Sequence, residues 1–387
     1  MKLLMIVGQL YPKAGNNAQL MGKLISSLCR SNELRVLTLS SSIGPELPRD
    51  YQDLKIDCME QSLPGVLPVS LYHSVCARLY DPKGNADYLT KLQLLRSLKR
   101  VRREYPFDAL IVCSEPFPAA AVLPHFPQIP TVLYLMDPPA CVCGQSATAY
   151  RNRTIWKNLS SASRVLTTPF IHSALLRKRP SSSSRISFAE LGFPLVVPSA
   201  LQPRNAQTDR IALLFTGWMC SDIRSPKYFL EILSRLDERF VVTFMGRDCE
   251  KLTERFDIHT KAELITLPQQ PYEIALQAMA DADIMINIGN SVPVHMPSKT
   301  LEYINTGKPF VNFYKLKDCP TLYYTKRYPL CFNMSEDDLD LDQAADQFID
   351  FCVSSKGKTV DRGLIEREYA DCTPQYIAKV ILDALTS

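Results

Sequence analysis

The chain is defined first by what it lacks. No apolar run reaches the 18 or more residues of a membrane-spanning helix, so no transmembrane segment is expected. Its 12 cysteines are scattered, Cys141-Val-Cys143 apart, with no paired Cys-x-x-Cys or Cys/His spacing. That excludes a zinc site and reads as reduced thiols in a cytosolic protein. Charge of one sign is also lacking: 44 Lys and Arg stand against 40 Asp and Glu, so total charge implies no nucleic-acid partner. The Gly-x-Gly-x-x-Gly spacing of a dinucleotide site is absent. The opening Met1-Lys-Leu-Leu-Met-Ile-Val7 is too short for a signal peptide and has no small-residue cleavage site. Gln9 follows at once, and the run reads as a first buried strand.

What is present fits a soluble α/β protein of about two domains, with 387 residues, 46% hydrophobic and 22% charged. In the first half, short apolar runs at 3–7, 34–39, 109–113, 131–136, 164–168 and 185–189 alternate with helical patterns such as 17–30 and 88–105. The second half repeats the scheme, with strands at 211–216, 240–245, 263–267, 283–288, 310–313 and 330–333. Its helices include 225–236, opened by a Ser-Pro pair suited to N-cap and N1, and 272–280. Near-continuous apolar strands alternating with helices predict parallel sheets covered on both faces. Residues 192–208, with three prolines and polar residues, read as a linker. The expected division is a domain at 1–195, a second at 209–370, and a last helix within 371–387 returning to the first. Two doubly wound domains would face a cleft at the carboxyl ends of their strands, where such folds bind ligands.

The most informative stretch is Met296-Pro-Ser-Lys-Thr-Leu-Glu-Tyr-Ile-Asn-Thr-Gly-Lys-Pro-Phe-Val-Asn-Phe313. Ser298 suits an N-cap, which would leave backbone amides free near Lys299 and Thr300 and suited to a phosphate. Glu302 sits one turn in, placed to accept from hydroxyls, and Gly307 ends the helix before a buried strand. The local alternative is an ordinary surface helix. The order Pro-Ser-Lys-x-x-Glu-Tyr-x-x-x-Gly-Lys-Pro resembles the donor-binding segment of GT-B glycosyltransferases, especially the retaining family four. That resemblance implies the GT-B fold, two Rossmann-like domains with a nucleotide-sugar site, and a ribose contact for Glu302.

Other segments extend the resemblance. Gly8 to Asn17 is similar to a Pro-x-x-Gly-Gly loop after the first strand, with Gly15 and Asn16 near the donor phosphates or the acceptor; a generic strand-to-helix turn is the alternative. Thr216-Gly-Trp-Met-Cys-Ser-Asp-Ile-Arg-Ser-Pro-Lys-Tyr228 resembles a Gly…Ile-Arg-x-Pro variant of the family's phosphate loop. Gly217 opens it, Arg224 is the candidate for the diphosphate and for the charge on the leaving group, and Lys227 is the second cation. Familiar members carry an Arg just after the glycine, where this chain has Trp218. The family's first glutamate, eight positions before the ribose-binding one, is replaced here by Val294. His295 and the Asn287–Asn290 stretch are the neighbouring candidates for a sugar contact.

In the first domain Asp137 follows a strand and is the candidate acceptor-orienting base or polar contact, with Glu115 a lesser candidate; either could instead cap a helix. The Asp281-Ala-Asp283 and Glu336–Asp342 patterns read as structural, and no metal or cofactor is expected. Helix 88–105 carries Arg96, Lys99, Arg100, Arg102 and Arg103 beside an apolar stripe. That suits a solvated face packed on the sheet or contact with an anionic membrane surface. The resemblance therefore implies a cytoplasmic glycosyltransferase, peripheral on the inner face of the membrane, with a nucleotide-sugar donor and a saccharide or lipid-linked acceptor. A nucleotide-sugar epimerase and a non-catalytic GT-B subunit are the rival readings.

Overall fold

The computed structural model describes residues 1–8, 10, 16–39, 54–59, 86–113, 117–139, 141–142, 149–183, 185–198, 209–219, 223–337 and 340–386. The chain divides into two units, Met1–Pro194 with Asp371–Ser387, and Leu195–Ala370. None of the nine described cysteines is in a disulfide, and no described helix is long and apolar enough to cross a membrane.

The first unit is built on a parallel sheet of seven strands: β1 (Lys2–Val7), β2 (Glu33–Thr38), β3 (Lys55–Cys58), β4 (Ala109–Cys113), β5 (Thr131–Leu135), β6 (Arg164–Thr167) and β7 (Phe188–Glu190), in spatial order β3-β2-β1-β4-β5-β6-β7. Leu3 to Val7 are fully buried because the central strand is covered on both faces. The helices of this unit include α1 (Asn16–Leu28), α2 (Ala86–Glu104), α3 (Ala149–Leu159) and α4 (Pro169–Lys178).

Strand β3 was hidden in the sequence because Lys-Ile-Asp-Cys has no apolar run. It is held at the edge by charge instead: the buried Arg35 guanidinium donates to Asp57 at 2.6 and 3.0 Å and to Glu104 at 2.7 Å. Strand β7 starts later than the expected 185, because Arg179 donates to the carbonyls of Ser183 and Ile186 and turns the chain there. Of the expected 192–208 linker, residues 199–208 lie outside the described residues, and its start is packed. Leu191, Phe193, Leu195 and Val196 are buried, and Tyr134 donates its hydroxyl to the Gly192 carbonyl, so the segment leaving β7 is packed.

The second unit repeats the plan with six parallel strands: β8 (Ile211–Thr216), β9 (Phe240–Met245), β10 (Glu263–Leu267), β11 (Ile284–Ile288), β12 (Phe310–Tyr314) and β13 (Cys331–Ser335), in order β10-β9-β8-β11-β12-β13. Its helices are α5 (Lys227–Leu233), α6 (Leu252–Arg255), α7 (Tyr272–Asp281), α8 (Lys299–Thr306), α9 (Pro320–Thr325), α10 (Leu341–Ser355) and α11 (Arg362–Glu368). The expected Ser-Pro start of α5 shifts by one. Pro226 takes the cap position with helical dihedrals, and the Ser225 hydroxyl accepts from the Lys227 amide at 3.3 Å. After α11 the chain ends in α12 (Pro374–Thr386), which packs in the first unit against α1, β5 and β6.

Alternation along the strands separates the two faces of this sheet. Ile284, Ile286 and Ile288 of β11 and Val311 and Phe313 of β12 join one core, where Phe229 lies 5.1 Å from Phe313 and 5.9 Å from Phe348 between ring centroids. The opposite face carries α8 and α9 and holds a buried amide ladder. Asn287, Asn312 and Asn333 pair in register. Asn287 donates to Asn312 at 2.7 Å and Asn312 to Asn333 at 2.8 Å. Thr300 of α8 and Thr325 of α9 donate into the two ends at 3.3 and 2.6 Å. Buried amides are tolerated only when bonded, so the ladder fixes where both helices sit.

Candidate functional site

In the second sheet the strand order reverses between β8 and β11, and the loops after β8, β9 and β11 gather at their carboxyl ends. The first two loops are joined through their backbones. Gly217 donates to the Met245 carbonyl at 3.0 Å, and Met219 to the Arg247 carbonyl at 3.0 Å. Gly217 has φ +151° and Gly246 φ +145°, and a Cβ on Gly246 would lie 1.9 Å from the Gly217 carbonyl oxygen. Only glycine permits that approach.

Arg224 is fixed at this edge by a side chain from the other side of the reversal. Its Nε and Nη2 donate to Asn290 Oδ1 at 3.1 and 3.0 Å. Asn290 is buried and in turn donates to the His295 carbonyl at 2.8 Å. The Ser291 amide donates to the Ile223 carbonyl at 2.7 Å, closing the two loops on each other. Hydrogen bonds to a neutral amide orient the guanidinium, whose fork geometry matches phosphate oxygens.

Helix α8 is attached to the end of β8 by Tyr303. Its buried hydroxyl accepts from the Thr216 amide at 2.9 Å, meets Thr216 Oγ1 at 3.0 Å, and contacts the Thr216 carbonyl at 3.2 Å. Burial pushes this phenol up to about 12, against the lowering effect of the Thr216 bonds. One residue earlier, Glu302 is buried and accepts from Lys299 Nζ at 2.7 Å, while the same ammonium lies 5.8 Å from the Tyr272 ring centroid.

One expectation is corrected here, and two further residues are placed. Ser298 does not cap α8 with its side chain: its dihedrals are already helical, and the Thr300 and Leu301 amides donate to the Pro297 and Ser298 carbonyls at 3.2 and 3.1 Å. The amide at Thr300 is therefore committed within the chain. Lys299 gives its ammonium to the Glu302 carboxylate three residues on, whose burial requires a counter-charge. Lys227 lies along its own helix, 75% exposed and 3.9 Å from Glu231.

Val294 is buried and apolar where the resembled family carries a glutamate, and His295 follows it at the loop's end, its amide donating to the Val292 carbonyl at 3.2 Å. Asp137 follows β5 in the first unit. Gly15 and Glu115 lie outside the described residues; Asn16 begins α1, and nothing of its side chain is described. Among the described residues no three His, Cys, Asp or Glu side chains converge as a metal-ligand set. Asp283 accepts instead from the Ala212 amide at 2.9 Å, and Asp340 caps α10 through the Gln343 amide at 2.9 Å.

Asn290, Tyr303 and Tyr272 were not singled out from the sequence for these roles. Arg247 was also missed, although it follows a strand next to the reversal point, where parallel sheets meet their ligands.

No protein-family model matches the chain, and no curated protein matches it by sequence. Solved structures do match over its whole length. Sucrose-phosphate synthase from Thermosynechococcus elongatus superposes with a TM-score of 0.67 at 13% identity, covering 99% of this chain and 97% of that one. The Anabaena protein HepE, in complex with UDP and glucose, gives 0.65 at 11% identity and covers 100% of both. WaaG, a glycosyltransferase involved in lipopolysaccharide biosynthesis, gives 0.57 at 13%, covering 98% and 99%. The fold is GT-B. At these identities the likeness concerns the fold, and this GT-B chain's site must be argued from its own residues.

The glycine contact gives a direct stability test. Gly246→Ala puts a methyl group inside the Gly217 carbonyl and should cost at least about 2 kcal/mol in denaturant unfolding. Gly357→Ala, at φ +74° with nothing within 4 Å, should cost only about 1 kcal/mol. Equal costs would show that the two loops do not pack as described.

Proposed function

We propose that the chain is a glycosyltransferase that moves a sugar from a nucleoside diphosphate sugar to a saccharide or lipid-linked acceptor. The observation that carries this is Arg224, held by Asn290 at the strand reversal of the second sheet and joined there by α8 with Glu302. Arg224 stabilises the negative charge that develops on the diphosphate as the glycosidic bond to it breaks. Glu302 keeps one oxygen on Lys299 and offers the other to ribose hydroxyls, and His295 takes the sugar contact that Val294 cannot make. Asp137 orients the acceptor hydroxyl. Charge is neutralised by guanidinium and amide groups, so the reaction needs no metal or cofactor, and retention of configuration follows from the family-four resemblance. One neighbour of the same fold, HepE, was solved with UDP and glucose and with UDP-glucose, which supports a nucleotide-sugar donor.

We further propose that the first unit meets an anionic membrane surface by charge alone, from the cytoplasmic side. It carries 24 Lys and Arg against 15 Asp and Glu. Leu94, Leu98 and Val101 of α2 are buried within the unit, so this part of the apolar stripe is not available for insertion. Arg96, Lys99, Arg102 and Arg103 are exposed. His125 is held below its ordinary range by desolvation and then by Lys91, Lys157 and Lys99, which places these lysines of α2 and α3 around one surface. Binding to phosphatidylglycerol vesicles should be strong at low salt and lost at high salt. Equal binding to neutral phosphatidylcholine vesicles would overturn the electrostatic contact.

One observation favours a second reading, a non-catalytic subunit: the site lacks the family's first carboxylate, with Val294 buried in its place. Thermal unfolding with UDP, GDP and ADP, followed by turnover of the matching sugar donors, separates the two. The transferase reading expects one nucleotide at about a hundred times its Kd to add roughly 2.7 kcal/mol. It also expects Glu302→Gln to weaken that effect, and sugar to be transferred. Stabilisation without turnover of any donor would favour the subunit; no stabilisation in a folded sample would contradict a nucleotide site altogether.

A further inference from the structure

We propose that Arg247, stacked on Trp218, is the second cation of the diphosphate site; this rests on the donor-site reading above. A nucleoside diphosphate carries more negative charge than one guanidinium can balance. Of the other cations expected to help Arg224, Lys299 is committed to Glu302 at 2.7 Å, and Lys227 lies on α5 beside Glu231.

Arg247 comes from the loop after β9, yet the backbone bonds between Met219 and Arg247 and between Gly217 and Met245 hold it beside the loop after β8. Its guanidinium carbon lies 4.8 Å from the centroid of the Trp218 ring. A guanidinium lying on an aromatic face is immobilised there, while the N–H groups around its edge still point outward. The side chain is 66% exposed, and its ion pair with Asp248 spans 3.9 Å. That carboxylate is already occupied: Oδ2 accepts from Trp218 Nε1 at 2.9 Å and Oδ1 from Lys251 at 3.1 Å. Asp248 thus holds the indole edge and shares its charge between Lys251 at 3.1 Å and the more distant Arg247.

Trp218 is the shared element. It is 43% exposed, large for an aromatic. Arg224 reaches the same residue, its Nη1 3.5 Å from the Trp218 carbonyl oxygen. One guanidinium meets its backbone and the other lies on its ring, so both cations are fixed around a single residue at the strand reversal. Trp218 thus keeps a positive charge in the neighbourhood where the resembled family carries its own arginine. It acts as a positioning residue, and Arg247 as the group that touches phosphate.

The test is competition binding of UDP and of uridine to wild type, Arg247→Ala and Trp218→Leu, each checked for an unchanged melting temperature, with GDP and guanosine or ADP and adenosine substituted if those bind instead. Arg247→Ala should weaken the diphosphate about 10- to 100-fold, leave the nucleoside unchanged and flatten the salt dependence. Trp218→Leu, which keeps the charge but frees the guanidinium, should give a smaller loss in the same direction. Undiminished diphosphate binding by Arg247→Ala, or equal loss of diphosphate and nucleoside, would overturn the assignment while leaving the donor site standing. Absence of any diphosphate binding by the wild type would remove the donor site, and this inference with it.

Discussion

The arrangement of the site depends on the hydroxyl of Tyr303. Thr216 ends β8, and its amide needs an acceptor where the sheet ladder stops; the Tyr303 phenol supplies one at 2.9 Å and returns contacts to the same residue's hydroxyl and carbonyl. Because that phenol is fully buried and pushed up to about 12, it stays neutral and keeps both donor and acceptor capacity. Helical geometry then leaves little freedom: with Tyr303 placed, Glu302 and Lys299 occupy set positions on the first turn of α8. The same helix is held from beneath by Thr300 on the amide ladder. Two polar attachments, one at a strand end and one on the sheet face, are what turn a short helix into a fixed platform.

Around that platform the loops are positioned by steric necessity and by neutral hydrogen bonds more than by opposed charges. Gly246 and Gly217 touch so closely that no side chain fits, and Asn290 orients Arg224 without cancelling it. Charge that could be neutralised internally has been: Lys299 with Glu302, Asp248 with Lys251 and the indole. The guanidinium groups of Arg224 and Arg247 are held instead by an amide and by an indole ring. Groups held by loop geometry and stacking in this way are fixed before any ligand arrives.

The central strands were legible because a strand covered on both faces must be apolar throughout; Leu3–Val7, Ile211–Thr216 and Phe240–Met245 announce themselves this way. Strand β3 was not, since its place at the edge is secured by Arg35 and Asp57, a partnership 22 residues apart that no local pattern shows. In the site, the segment after Met296 was readable as helix, glycine stop and strand, whereas the way the helix begins was not. Ser298 is a good capping residue by type, but Pro297 supplies the first acceptor carbonyl, and the turn tightens before any side-chain cap is needed. Asn290 and Arg247 escaped for a related reason. Their significance lies in what they touch across neighbouring loops, Arg224 in one case and Trp218 in the other, and those contacts exist only after the parallel strands have been ordered.

The claim that a nucleotide's diphosphate is held at the strand reversal of the second sheet is tested most directly by amide hydrogen exchange with and without saturating UDP, or with GDP or ADP if one of those binds. The account predicts slowed exchange concentrated at residues 216–219, 223–227, 246–248 and 289–303, with the rest of the second unit unchanged. Protection centred elsewhere in the presence of a bound nucleotide would contradict it.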